Sequence, residues 1–268
     1  MTCAHALIAR EFEINKISFL PIKSLDTGVK FGGVLYNNER FVLQTPEMKC
    51  PFGESAPPVQ NKKNSVKLDM SFYKLDERES LQEFKTMLTL LEEKAINFGA
   101  ENTTAWFHKK YDKGFIKEFF TPLLKYALTK DANGESHGEI NHNYPPRFSL
   151  NLPRDESSHY AFPIVDNEGN PLDMTNVNFK NALVTCIIQC TGLWVADKKF
   201  GLSWKILKMR VIPEKRTDDY AFRMIGGEAQ HEGILEDEQI MNPLNDMFLE
   251  RTLPDKDAFL SEEEDVEL

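Results

Sequence analysis

Along much of the chain, hydrophobic and polar residues alternate with the two-residue period of a strand whose two faces meet different surroundings. The cleanest case is 66–73, where Val66, Leu68, Met70 and Phe72 fall on one face and Lys67, Asp69, Ser71 and Tyr73 on the other. The longest is 182–213, ALVTCIIQCTGLWVADKKFGLSWKILKMRVIP, which predicts two long strands joined by a turn at 196–200. β-Branched and aromatic residues suit a pleated surface, and a Lys-rich break followed by Gly201 suits a hairpin loop. The first run is almost uncharged, which predicts a central strand covered on both faces. The second sets Lys205, Lys208 and Arg210 among apolar residues, so part of it should meet solvent or a charged partner.

Three further strands are predicted over 11–47, the first interrupted by Pro21. The last two form a hairpin that turns at Asn37 and Asn38, because Asn tolerates positive φ. Gly32 and Gly33 inside that hairpin predict a bulge or sharp bend. Residues 47–58 read as a Pro-punctuated loop and 60–65, QNKKNS, as a mobile connection. The clearest helix is 80–98. Ser80 with Glu83 makes a capping box, Leu81, Phe84, Met87, Leu88, Leu91 and Ile96 form an apolar stripe, and Gly99 can end it. An aromatic-rich stretch over 104–128 should be broken into short pieces by Gly114 and Pro122, and 130–146 reads as a polar loop. Strands then resume at 147–152 and 160–166, with a turn at 167–170 before the long hairpin and a short piece at 218–225 after it. The expected fold class is mainly β (α+β).

Charge divides the chain. The formal net charge is −10, yet residues 228–268 hold 14 acidic residues against Arg251 and Lys256, a net −12, which leaves +2 on residues 1–227. The expected organisation is a mildly basic body over 1–227, with a helical insertion at about 80–145, joined to a flexible acidic tail at 228–268. At 268 residues, with 41% hydrophobic and 28% charged residues, the chain has the composition of a soluble globular protein. No apolar run approaches the roughly 20 residues that cross a bilayer, and the N-terminus lacks a signal peptide's apolar core. Membrane association is not expected. Four scattered cysteines suit a reducing intracellular compartment better than a disulfide scaffold.

Motifs for hydrolysis, phosphate cradling, zinc proteolysis or dinucleotide binding do not occur, so no enzyme is expected. Cys186 and Cys190 fall on one strand face with Val184 and Ile188, which is core geometry, and His137 and His142 lack a nearby cysteine pair. No metal and no cofactor is expected. Nucleic-acid binding has firmer support, because a cation sits beside an aromatic in several separate predicted strands and turns. These are Arg40 with Phe41, Arg147 with Phe148, Phe179 with Lys180, Lys199 with Phe200, and Trp204 with Lys205. A sheet of this kind can stack unpaired bases while its cations follow the phosphates. Lys30, Tyr36, Lys62, Lys63, Lys67, Lys198 and Lys208 complete the candidate set. Trp106, Phe107, His108, Lys109, Lys110, Tyr111, Asp112 and Lys113 interleave aromatics with cations too, though such a run also fits an amphipathic face with its rings in the core. A flexible polyanion on a basic body can occupy the cationic groove until nucleic acid displaces it, and can recruit partner proteins.

The hairpin residues GLW at 192–194 and KFGLSWK at 199–205, the CPFG loop at 50–53 and the acidic C-terminus together resemble the single-stranded DNA-binding proteins of large nucleocytoplasmic DNA viruses. The resemblance covers roughly 10–215. It implies an elaborated oligonucleotide-binding (OB) barrel that coats single strands during viral genome replication, at sites in the host cytoplasm or nucleus. It also implies partner replication proteins and leaves room for an oligomer. The chain departs from the bacterial pattern of an apolar C-terminal pair, since it ends in Glu267 and Leu268. An OB barrel has five strongly bent strands with a helix between the third and fourth; strands, one helix at 80–98, and strands again match that order. Single-stranded DNA, with RNA as a further possibility, is therefore the expected partner. The alternative is a protein-interaction or virion structural module that works through the acidic tail.

Overall fold

The computed structural model describes residues 5–26, 28–55, 65–131, 134, 136–157, 159–172 and 177–214. Lys62, Lys63, the short piece at 218–225 and the acidic segment 228–268 lie outside the described residues. Numbered in chain order, the strands are β1 (Ile17–Phe19), β2 (Lys23–Ser24), β3 (Lys30–Tyr36), β4 (Glu39–Gln44), β5 (Met48–Lys49), β6 (Ser65–Ser71), β7 (Leu124–Lys125), β8 (Leu128–Lys130), β9 (Ser136–Ile140), β10 (Arg147–Pro153), β11 (Ile164–Val165), β12 (Leu183–Ala196) and β13 (Lys199–Ile212). Three helices, α1 (Glu79–Glu101), α2 (Thr103–Phe107) and α3 (Lys113–Phe119), are inserted between β6 and β7.

The predicted long hairpin is present, fourteen residues on each side, with its turn at Asp197 and Lys198 and Asp197 at φ 47. β12 is the central strand. On the edge away from β13 it pairs in succession with β5 at Leu183 and Val184, β4 from Ile187 to Cys190, and β3 from Gly192 to Val195. One strand can take three partners because it bends. Register shifts against β13 fall between Ile187 and Ile188 and between Cys190 and Gly192, and bulges of this kind increase local twist. Gly192 is required there: a Cβ would lie 2.4 Å from the Phe31 ring and 2.5 Å from the carbonyl oxygen of Gly32. The curl continues from β5 to β6, β10 and β7, all antiparallel. It returns to β13 where Phe120 bridges Phe200 and the N–H of Thr121 donates to the Phe200 carbonyl at 2.8 Å. The fold is mainly β, a curled, mostly antiparallel sheet elaborated by inserted helices.

β6 ends at Ser71, short of the predicted 73, and keeps the predicted apolar face, with Val66, Leu68, Met70 and the following Phe72 buried; Ser71 of the predicted polar face is buried as well, between β5 and β10. Asn37 and Asn38 turn the β3–β4 hairpin at φ 52 and 63. Other expectations need correction. The helix begins before Ser80: Arg78 is the N-cap residue and no side chain caps it, so Ser80 and Glu83 lie inside α1. A 3-10 turn at Leu75–Glu77 feeds the helix directly, and Gln82 Nε2 donates to the carbonyls of Leu75 and Asp76. Gly99 does not end the helix. It is buried where a Cβ would come within 2.9 Å of the Phe200 ring, so its lack of a side chain allows α1 to approach β13. Gly114 lies inside α3, and the break before it comes at His108, φ 56. The supposed loop at 130–146 contains β9, which pairs with β8. The strand expected at 160–166 shrinks to β11, parallel to β13.

The apolar stripe of α1 fills the inner face of the sheet. The Phe84 ring stacks on Phe72 at 5.9 Å and meets Phe148 edge-on at 5.7 Å. Cys50, Cys186 and Cys190 are buried in the same core, and burial pushes the Cys186 thiol up to about 12, so these sulfurs behave as small hydrophobes.

Glu92 of α1 pins the segment that returns to β13. Its Oε1 accepts the backbone N–H groups of Leu123 and Leu124. Burial holds its carboxyl above the ordinary glutamate value, an effect that those two amides and Lys117 partly offset. Glu92→Ala should cost about 1–3 kcal/mol in denaturant unfolding by orphaning two amides, and Glu92→Gln, which keeps an acceptor oxygen, should cost less. A folded-state pKa raised above the unfolded one means that the contribution of Glu92 is full at low pH and is lost as pH rises through the folded value. The stability gap between wild type and Glu92→Gln should therefore move against the wild type as pH rises above the ordinary glutamate value; a gap independent of pH would contradict this account.

Candidate nucleic-acid interface

With the inner face of the sheet covered by α1, the outer face of β4, β12 and β13 carries the exposed cations. Lys205 lies opposite Gln189, which lies opposite Val42; Lys208 lies opposite Ile187, which lies opposite Gln44. Arg210 lies opposite Thr185, and its Nη2 donates to Thr185 Oγ1 at 3.1 Å. Strict alternation would send Lys205 and Lys208, three residues apart, to opposite faces. The register shift at Ile187/Ile188 absorbs Leu207 as an extra residue, so both lysines are exposed and their partners Gln189 and Ile187 share a face. Arg40 joins them, because its neighbour Phe41 points into the core. The two long strands contain Lys199, Lys205, Lys208 and Arg210 and no Asp or Glu. All four lie on β13, so they form a band along that strand whose charge no acid of β12 or β13 cancels.

The aromatic half of the expectation is corrected. Phe41, Phe148 and Phe200 are buried at 0%, 1% and 0% exposure, so no base can reach them. A cation beside an aromatic on a strand faces the opposite way, and here it is the ring that takes the core side. Trp204 packs on Phe41 at 6.1 Å and Phe148 at 5.8 Å as part of the core edge, with its Nε1 buried and without a hydrogen-bond partner among the described residues. Tyr36 stacks between Phe12 and Phe41 at 5.9 and 5.7 Å, and its hydroxyl donates to the Glu11 carbonyl.

Several cations also have structural duties. Lys30 Nζ donates to the carbonyls of Ala105 and Trp106 and so caps the end of α2. Arg147 pairs with Asp69 at 2.5 Å. Lys67 lies half-buried on the outer side of β6. Lys198 is exposed at the hairpin tip, and the exposed Lys199 reaches the Glu118 carbonyl at 3.3 Å. Lys180 is exposed in the turn before β12. In the 106–113 run, Trp106 is buried and Phe107 packs on it at 6.1 Å, the amphipathic alternative.

A second group lies on the outer face, of which the sequence pattern marks only Arg147 as a candidate. Lys49 of β5 lies opposite Ser71 of β6, which lies opposite Arg147 of β10, which lies opposite Lys125 of β7. This row crosses four strands and is bordered by Phe52 and Tyr73. The alternation of 66–73 did put Tyr73 on the polar face, the only aromatic there; Lys49 and Phe52 gave no periodic signal.

Among proteins of known sequence, the chain is similar to an uncharacterized protein of Acanthamoeba polyphaga mimivirus, 24% identical over 175 residues. That alignment covers 64% of this chain and 26% of the relative, so the chain spans about a quarter of the relative's length. Among solved structures it is similar to the single-stranded DNA-binding protein gp2.5 encoded by bacteriophage T7, with 10% identity and a TM-score of 0.37 over 71% of this chain and 100% of that one. It is similar also to the single-stranded DNA-binding protein of bacteriophage Enc34 in complex with single-stranded DNA, with 11% identity and a TM-score of 0.37 over 74% and 97%. The profile of a family of unknown function, DUF5871, matches residues 64–224, well over half of the chain, and the chain belongs to that family.

Proposed function

We propose that this protein binds single-stranded DNA without sequence preference and serves viral DNA replication, recombination or repair, with RNA as a second possible ligand. The observation that carries the reading is the acid-free outer face of β12 and β13, where Lys205, Lys208 and Arg210, with Arg40 beside them, project from a curved sheet. Cations spaced along a curved surface suit a flexible polyanion whose phosphates can adjust to them, and binding of that kind weakens steeply as salt rises. The mimivirus relative supports a viral setting.

The acidic segment 228–268 is proposed to compete with DNA for the cationic face and to recruit replication proteins when released. The test is fluorescence anisotropy of labelled oligo-dT, titrated with the full chain and with residues 1–227 at several salt concentrations. Salt-sensitive binding by the full chain, tightened by truncation, is the expected result. No binding by either protein at low salt would end the reading. Equal affinity of the two at low salt would end the competition.

A further inference from the structure

We infer that Tyr73 is a stacking platform for an unpaired nucleobase, with Lys49 and Lys74 placed to take the flanking phosphates. The inference rests on the single-strand reading above and gives it a base-contacting site away from the long hairpin. Tyr73 is the most exposed tyrosine among the described residues with large apolar surface in solvent, at 51%. It is nevertheless held firmly. The preceding Phe72 is fully buried, stacks on Phe84, and its N–H donates to the Pro146 carbonyl at 3.0 Å. The following Lys74 adopts left-handed backbone geometry at φ 62 and leads into the 3-10 turn before α1. A rigid backbone presenting an exposed ring loses little freedom when a base stacks on it.

The charge around the ring is positive. Lys49 Nζ lies over the ring at 5.7 Å and Lys74 Nζ at 6.0 Å from its centroid, at the outer limit of cation–π contact, so a stacking base would take the place of these weak contacts and leave the two ammonium groups to its phosphates. Lys74 pairs with Glu77 at 3.1 Å, but both side chains are about half exposed or more, and a solvated pair of this kind is readily exchanged for a phosphate. One row along, the Arg147 guanidinium lies 5.9 Å from the Phe52 ring. The loop carrying Phe52 is fixed by Gly53 at φ 72, where a Cβ would lie 3.2 Å from the backbone nitrogen of Lys180. Lys49 and Arg147, the latter paired with Asp69, thus lie in one aromatic-bordered row, with the backbone of Lys180 against the loop that carries Phe52. An exposed ring with two ammonium groups against it matches a nucleotide, which offers a π-face and an anion together.

The test compares wild type, Tyr73→Ala and Tyr73→Phe as full chains, binding labelled oligo-dT and an abasic oligonucleotide of equal length. Thermal melting confirms that each variant is folded. Wild type should prefer oligo-dT over the abasic strand. Tyr73→Ala should weaken oligo-dT binding by about 5- to 150-fold while barely changing abasic binding or the salt slope, and Tyr73→Phe should restore the preference. Tyr73→Ala binding oligo-dT like wild type, or losing both ligands equally, would overturn the platform and leave single-strand binding standing. Wild type binding neither ligand would overturn both.

Discussion

Replacing Phe200 with Ala should lower the stability of the protein by about 3–5 kcal/mol, the usual cost of removing a buried phenyl ring. Phe200 is fully buried where several elements meet. Its ring lies 5.2 Å from Phe120, 5.6 Å from Trp106 and 6.4 Å from Phe107, and Gly99 of α1 is pressed against it. Its backbone also bridges the segment that returns the sheet to β13. Truncation would therefore open a cavity among parts that relax poorly, since α1, α2 and the returning segment each rest on other contacts. Urea unfolding followed by tryptophan fluorescence measures the loss. The same variant separates core from ligand roles: molecules that remain folded should bind oligo-dT with an unchanged salt slope. A normal midpoint with a specific loss of binding would place Phe200 at the interface and contradict its burial.

The Lys205→Ala/Lys208→Ala double variant should do the reverse. Each lost phosphate contact lowers the slope of log affinity against log salt by about 0.7 for a single strand, so the pair should lower it by about 1.4 and weaken low-salt binding by roughly 10- to 100-fold. Exposed substitutions of this kind change stability by about 0.5 kcal/mol or less each. Lys205→Arg/Lys208→Arg keeps both charges and should keep the slope. Anisotropy titrations across a salt series measure all three proteins. An unchanged slope in the alanine pair would remove the outer face of β13 from the interface.

The local pattern made much of the architecture legible. The alternation of 66–73 assigned its buried face correctly, the apolar stripe at 81–96 located α1, and Asn37 with Asn38 marked a turn that only residues tolerant of positive φ make easily. Boundaries failed where tertiary contacts replaced local signals. Arg78 stands at the N-cap of α1 without a capping side chain, and the helix start is set instead by the 3-10 turn that leads into it, whose Leu75 and Asp76 carbonyls accept from Gln82 Nε2. Gly99, a helix stopper by composition, serves as a contact point with Phe200.

For the candidate interface, the sequence alone determined the inventory: a basic hairpin whose one acid is the turn residue Asp197, a separate acidic segment, and cations beside aromatics in several strands and turns. Which member of each pair faces solvent was decided only by the tertiary structure. Alternation states that Arg40 and Phe41 point opposite ways, but the choice of side depends on what covers the sheet, and α1 covers the side that takes the rings. The bulge at Ile187/Ile188 brought Lys205 and Lys208 to one face against simple periodicity. Lys49 joined Tyr73 and Lys74 because β5 and β6 pair across a connection that no local signal encodes. Periodicity is a property of neighbouring residues, whereas a binding surface is assembled from strands whose register is fixed by packing over the whole sheet.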